Sequence, residues 1–517
     1  MVKKTYKIKG QFLIGRYIRP MGKAGKMYFK INTGTSKPNL LGKMASLVVV
    51  LLLGCSRPSL KERPNILIIC IDDLRTELNS FGAHHIVSPH MDALAEEGVS
   101  FQNHYVNSPS CGPSRYTFLT GQYGPSSNNA LFLRAEQMGK GQKVNPSMPE
   151  WFREQGYTTV SVGKVSHHPG GRGGTDWNDS AIIEMPRAWD RHLMPVGEWQ
   201  HPRGMMHGLA HGEIRKRPGD MDILQSVAGN DTIYPDGIIV QKALQELGTL
   251  ASDKNTPFFL AVGLLKPHLP FGAPKHYLKM YDSVTFPPVA NPHRPEGKTT
   301  WHPSGEFMKY HRWGKDPNGD TTFAEQVRRH YAACVSYVDA QVGKLLEGLR
   351  RAGADENTII VLWGDHGFNL GEHAIWGKHN LFDEALHSPL VIQYPGMKNS
   401  GAKTQALVET VDVFPTLCDL TGIATPEFVH GTSLKTIMEE PAHTGHSALS
   451  YNGQAVSLRT QTHRLTLHTD GHVELYDHTT PEGESKNRAV EQPSLVRVLR
   501  QQLNAKGQKR QGVPSGQ

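Results

Sequence analysis

Apolar residues along this 517-residue chain gather into short runs set between long polar stretches. Pro64 to Ile71 contains Ile66-Leu67-Ile68-Ile69-Cys70-Ile71, and apolar-rich runs recur at Thr158 to Val162, Pro257 to Val262 and Thr358 to Leu362. Runs of this kind suit strands of a parallel sheet that is covered on both faces. Each ends in a polar cluster: Asp72-Asp73, Gly163-Lys164, Lys266-Pro267-His268 and Asp365-His366. Between the last two runs, Val327, Tyr331, Cys334, Val338, Val342, Leu345 and Leu349 recur at helical spacing. Ser88-Pro89 starts a shorter helix that Gly98 ends. Strands alternating with helices predict a doubly wound, mostly parallel α/β sheet. Ligands of such sheets bind at the carboxyl ends of the strands, where all of the polar clusters fall.

Two long irregular regions interrupt this pattern. One runs from about Pro169 to Pro218 and is rich in Gly, His and Arg; the other, from about Pro267 to Asp320, is rich in Pro and His. Long loops in compact domains are commonly functional, and these are expected to wall a pocket and set substrate choice. After about His443 the pattern changes. Ala455 to Arg459 and Leu465 to His468 suggest strands, and Asp470-Gly471 is a hairpin signal leading into His472 to Asp477. The expected layout is a main domain over residues 63–440 and a smaller C-terminal α+β subdomain over 445–517 with an antiparallel sheet. The tail from about Gln501 reads as polar and frayed.

Composition excludes one class of partner. The net charge is +8, yet residues 1–54 hold eleven Lys or Arg and no acid; without them 45 basic residues face 48 acidic ones. The body has no general surplus for polyanions, so nucleic acid is not expected as a partner. The basic excess sits in a leader, residues 1–55. Ala45 to Leu53 is a nine-residue apolar run, too short to span a bilayer and suited to a secretory signal. Leu52-Leu53-Gly54-Cys55 resembles a bacterial lipobox, which implies export and a lipid anchor on the membrane at Cys55. Cys70 lies in an apolar strand and Cys334 on an apolar helix face, so both read as core thiols, and no disulfide framework is indicated.

The densest chemistry lies in Cys111-Gly112-Pro113-Ser114-Arg115, followed by Leu119-Thr120-Gly121. Pro113 suits a first helical position, Arg115 then falls in the first turn, and Gly121 is a helix stop. A helix N-terminus beside an arginine is an anion site, and a bare cysteine there is expected to have a lowered pKa. Asp72, Asp73, Asp365 and His366 end two strands, and their oxygens suit a hard cation such as calcium rather than zinc. Lys164, His167, His268 and Lys378 lie near strand ends or in adjoining loops. Such cations stabilise charge on a leaving oxygen, and an imidazole moves protons near neutral pH.

The run C-x-P-S-R-x-x-x-L-T-G resembles the signature of the type I sulfatases. Further stretches are similar to the iduronate-2-sulfatase branch of that family: Ile71 to Arg75, Gly163-Lys164-Val165, Phe258 to Gly263, Lys266-Pro267-His268, Val335 to Asp339, Asp365-His366-Gly367 with Leu370 to His373, and Val411 to Leu417. The resemblance implies an alkaline-phosphatase-like core. It also implies that a formylglycine-generating enzyme oxidises Cys111 to formylglycine. A calcium site would then be made by Asp72, Asp73, Asp365, His366 and the converted Cys111. Arg115, Lys164 and His167 would flank the aldehyde hydrate, while His268 and Lys378 would contact the sulfate. The family's lysine is followed at three residues by a histidine and then Pro-Gly; here His168 intervenes before Pro169-Gly170, so either His167 or His168 fills that place.

The sequence therefore points to an exported, lipid-anchored sulfatase acting on a carbohydrate sulfate ester, uronate-type or other. One rival is a phosphate or phosphonate ester hydrolase of the same superfamily. The other is a binding protein that captures sulfated glycans without turnover, which requires that Cys111 stay a thiol.

Overall fold

A computed structural model describes residues 63–168 and 183–510. The leader with Cys55, residues 169–182 of the first long loop and residues 511–517 lie outside the described residues.

The central sheet has eight strands: β1 (Asn65–Ile71), β2 (Val99–Tyr105), β3 (Thr158–Gly163), β4 (Arg191–Leu193), β5 (Phe258–Leu264), β6 (Thr358–Gly364), β7 (Leu390–Gln393) and β8 (Lys403–Glu409). Their order is β8-β2-β7-β6-β1-β5-β3-β4. β1 lies at the centre, parallel to both neighbours, with Ile68 opposite Ala261 on one side and Val361 on the other. Its apolar run reads as continuous because both of its faces are covered. Leu67, Ile69 and Ile71 enter one core; Ile66, Ile68 and Cys70 enter the other. Strand periodicity thus divides one segment between two layers.

The first core is closed by α1 (Pro89–Glu97), α3 (Pro235–Ser252) and α4 (Thr321–Arg351). The second is closed by α2 (Cys111–Thr120) and α5 (Val413–Thr421), through Phe118, Leu119, Phe414 and Leu417. All seven positions that predict α4 are fully buried, each stabilising by roughly 1.5–3 kcal/mol. Asp320 caps that helix, accepting from Phe323 N at 2.9 Å.

β7 alone runs against the other strands of this sheet. The chain leaves β6 at its carboxyl end, stays there through residues 365–389, and re-enters from the same side. An antiparallel β7 is the geometric result. It keeps the β6–β7 connection, with Asp365, His366 and Lys378, at the ligand-binding edge.

The C-terminal sheet is antiparallel and sequential: β9 (Ala448–Tyr451), β10 (Ala455–Arg459), β11 (His463–His468) and β12 (Val473–Asp477). Gly471 takes φ 90° in the expected Asp-Gly turn. Asn107 joins this sheet to the main body: its Nδ2 donates to Leu449 O at 2.6 Å and to Glu409 Oε1 at 3.0 Å.

Two expectations need correction. The tail is not frayed from Gln501, because α6 (Pro493–Gly507) continues past it. Leu499 and Leu503 of α6 are buried against Leu449, Leu458 and Leu475, and Lys506 pairs with Glu409. Two apolar anchors in a polar segment left little periodic signal. The first long loop also differs from expectation over its described part, residues 183–218. Trp199, Met205, Met206 and Leu209 there are buried in the core that holds α3 and α4, so that part packs the body.

Candidate active site

Four strand ends and one helix end converge. Asp72 and Asp73 follow β1, Lys164 follows β3, His268 lies beyond β5, Asp365 and His366 follow β6, and Cys111 opens α2 just after β2. Pro113 is the third residue of α2 rather than the first, a place it tolerates because the first four N–H groups of a helix have no intrahelical partner. Gly112 is required by close approach: a Cβ there would stand 2.3 Å from Asn128 Cα. Gly121 ends the helix at φ 65°.

Arg115 is fully buried and organises the acids. Its Nε donates to Asp365 Oδ2 at 3.0 Å, its Nη2 to Asp72 Oδ1 at 2.9 Å, and its Nη1 to the carbonyls of Lys164 and Val165. Lys164 Nζ reaches the other Asp72 oxygen. Burial favours the neutral acid, but Lys164 and then Arg115 hold Asp72 well below the usual carboxylate range. Asp73 has a left-handed backbone, φ 57°, fixed from two sides. Its N–H donates to Asp365 Oδ1 at 2.9 Å, and its carbonyl accepts from Tyr331 Oη at 2.8 Å.

Cys111 Sγ lies 3.2 Å from His366 Nε2, 3.3 Å from Lys378 Nζ and 3.8 Å from Asp73 Oδ1. Lys378 Nζ also donates to Asp73 Oδ1 at 2.7 Å. The expected low thiol pKa is not found. Burial and then the Asp72 carboxylate push the Cys111 thiol well above its ordinary value. As a thiol, residue 111 is a weak nucleophile.

The donor set fits a hard divalent cation. Asp72 and Asp73 gather with Cys111 and His268, Asp365 and His366 gather with the same Cys111, and His366 Nε2 lies 3.3 Å from Asp73 Oδ1 and 3.7 Å from Asp365 Oδ1; buried Asp73 Oδ2 has no hydrogen-bond partner among the described residues. Burial, and then Asp72, push the Asp365 carboxyl up, which marks excess negative charge. His366 donates from Nδ1 to Gly367 O at 2.8 Å, and burial lowers its pKa to about 3. It therefore presents a neutral Nε2 lone pair toward Asp73 and Asp365, the tautomer a metal ligand needs.

Asp72, Asp73, Asp365 and His366 are fully buried, and Cys111, His268 and Lys378 present this centre to a cavity of about 730 Å³ that opens to solvent. His167 lines it; its Nδ1 is unpartnered among the described residues, and burial and then Lys164 lower its pKa well below the usual imidazole value. His168 turns away, with its N–H on Glu184 and its ring against Phe132. Of the two candidate histidines, His167 faces the cavity. His268 donates from Nδ1 to Leu269 O at 2.7 Å, leaving Nε2 free to face the acids.

The second long loop supplies a wall, as expected, through Thr300 to Glu306. Glu306, and Asn452 and Gln454 from the β9–β10 turn, also line the cavity. Sequence reasoning missed all three. Each is a lone polar residue without motif or strand-end context, and the loop's Pro and His content pointed only to its general role.

Comparison with known proteins identifies the family. Residues 64–423 match the sulfatase family, and residues 371–509 match the C-terminal region of N-sulphoglucosamine sulphohydrolase. Human iduronate 2-sulfatase is 31% identical over 422 residues, covering 74% of this chain and 73% of its own length. The N-acetylglucosamine-6-O-sulfatase of Bacteroides thetaiotaomicron is 27% identical over 465 residues, covering 79% and 77%. The phosphonate monoester hydrolase of Agrobacterium radiobacter has a TM-score of 0.69 at 21% identity, covering 86% of this chain and 96% of that one, and shows the shared fold. A family match across most of the chain, joined to a relative above 30% identity, means that this protein belongs to the sulfatase family and is a sulfatase.

Proposed function

We propose that this sulfatase hydrolyses a carbohydrate O-sulfate ester, with residue 111 as formylglycine and a calcium ion held by Asp72, Asp73, Asp365, His366 and residue 111. The observation that carries the proposal is the position of residue 111. It sits at a helix N-terminus, within 3.2–3.8 Å of an imidazole, an ammonium and a carboxylate. Its thiol is held protonated there, while its neighbours are hard acids and cations that suit an oxygen nucleophile.

The hydrated aldehyde supplies one hydroxyl to attack sulfur and a second that allows sulfate to be released. Calcium supplies charge neutralisation on the sulfate oxygens and polarises the oxygen of residue 111. Lys378 and His268 face the same side of residue 111 and bind the anionic oxygens. As the S–O bond to the sugar breaks, the sugar oxygen keeps the electron pair and takes the Nε2 proton of His268 in its imidazolium form, which the bound sulfate's charge favours against the burial that lowers its pKa. The Nδ1 bond to Leu269 holds that nitrogen toward the cavity. His167, kept neutral by burial and Lys164, takes the proton that sulfate release frees. Arg115 and Lys164 position the acids. Export and lipidation at Cys55 complete the proposal, supported by the basic, apolar leader.

Two measurements test it. The mass of the peptide spanning Cys111 is expected to show conversion to the aldehyde. Cys111→Ala is expected to lower sulfate release from a sulfated sugar by at least ~10³-fold. A variant with undiminished release removes residue 111 from the chemistry. Matched aryl sulfate and phosphate esters separate the proposal from a phosphonate-hydrolase activity: the sulfate is expected to turn over faster.

A further inference from the structure

His268 and Lys378 line the cavity beside residue 111, and Glu306 lies next to both. We propose that the space beside the ester is a subsite for a sugar that offers hydrogen-bond donors there, hydroxyl or ammonium. Glu306 reads those donors and excludes a carboxylate or second sulfate at that place. This rests on the carbohydrate-sulfate function above and narrows it, away from uronate esters and toward neutral or amino sugars.

Among the described residues lining the cavity, Glu306 is the one carboxylate. Its Oε1 lies 3.7 Å from His268 Nε2; its Oε2 lies 3.8 Å from Lys378 Nζ and 3.3 Å from His379 Nε2. Lys378 itself touches residue 111. Glu306 is therefore one basic side chain removed from the reacting centre. Lys378 already has a closer carboxylate in Asp73, at 2.7 Å. Glu306 is not needed to neutralise it.

The carboxylate also has capacity to spare. An ionised carboxyl accepts about four hydrogen bonds, and here His379 supplies a hydrogen bond while His268 and Lys378 stand beyond hydrogen-bond distance. The side chain is 30% exposed. Against burial, Lys378 and then His379 and His268 hold it ionised. A permanently charged acceptor facing a substrate favours donors, and a second substrate anion in contact with it meets like-charge repulsion. Lys309 lines the same cavity one short turn further on, so the wall is not uniformly acidic. Glu306, however, is the group in contact with the cations that hold the ester. Asn452 and Gln454 line the same cavity with neutral polar side chains, although Asn452 Oδ1 is taken by the N–H groups of Gln454 and Ala455.

The test uses the converted full-length protein. It compares a neutral sugar, an amino sugar and a uronate that carry the ester at the same ring position. The wild type is expected to favour the first two over the uronate by about tenfold or more in kcat/KM. Glu306→Gln is expected to shrink that ratio to within about threefold, whatever it does to absolute rates. A wild type that prefers the uronate, or a ratio unmoved by Glu306→Gln, overturns the inference. Should Glu306→Gln abolish turnover, the same ratio is read from dissociation constants, by calorimetry on Cys111→Ala with and without Glu306→Gln. Failure of the wild type to release sulfate from any of the three sinks the carbohydrate function instead, and the calorimetric ratio still decides the role of Glu306.

Discussion

Arg115 shows how one side chain sets the geometry of the whole centre. Its planar fork spans Asp72, Asp365 and two carbonyls of the β3 loop, a set that a lysine ammonium cannot match. Arg115→Lys is expected to lower kcat/KM at least ~100-fold and to destabilise the fold by roughly 3 kcal/mol, because buried carboxylates lose hydrogen bonds. Activity and thermal melting measured on one preparation check both; unchanged values would falsify the organising role. At this scale legibility followed local context. Asp72-Asp73, Cys111 to Arg115 and Asp365-His366 stood out because their neighbours in sequence carry the same message. Glu306 and Asn452 did not, because what makes them matter is what lies across the cavity. The pKa of Cys111 was misjudged for the same reason: the helix end is local, while the burial that raises it, and then Asp72, come from the packing of other strands.

Among the elements, α1 has an unusual cap. Ser88 is the N-cap residue but makes no capping bond. Asp339, from the middle of α4, instead accepts from His90 N at 3.0 Å and Met91 N at 2.7 Å. Burial pushes its carboxyl up to about 7 despite those two donors. Asp339→Ala leaves the His90 and Met91 N–H groups, the second of them buried, without their acceptor and is expected to lower unfolding free energy by about 1–3 kcal/mol with little change in KM. Denaturant unfolding measures this, and a change below about 0.5 kcal/mol counts against the cap. The strands β1, β3, β5 and β6 were visible as apolar runs, and α4 as a period. β2, β7 and β8 were not foreseen: β2 and β8 mix buried and half-exposed polar positions, and β7 is four residues long. Sheet pairing rather than pattern makes them strands.

Across the whole molecule, the C-terminal helix and β8 are joined by charge. His446 donates to Asp412 Oδ2 at 2.8 Å, and Lys506 of α6 pairs with Glu409. Against burial, Asp412 raises the His446 pKa to about 9. A raised histidine adds stability below its unfolded value of about 6.5 and loses it as pH rises through about 9. The melting temperature of wild type should therefore exceed that of His446→Gln at pH 6, and the gap should close between pH 7 and pH 10; a constant gap contradicts the linkage. Calcium depletion is expected to lower the melting temperature by several degrees, as three buried carboxylates lose their shared counter-ion, and to restore it on readdition. Melting that ignores chelation counts against the metal.

By itself the sequence determined the apolar strands β1, β3, β5 and β6 of the covered sheet, where the long helix runs, and which acids, cations and thiol sit at strand ends. Those properties are encoded by neighbours along the chain. Strand order, the reversed β7, the docking of α6, the high thiol pKa and the placing of Glu306 beside the cations were decided only in three dimensions, because burial and charge act through space between residues hundreds of positions apart.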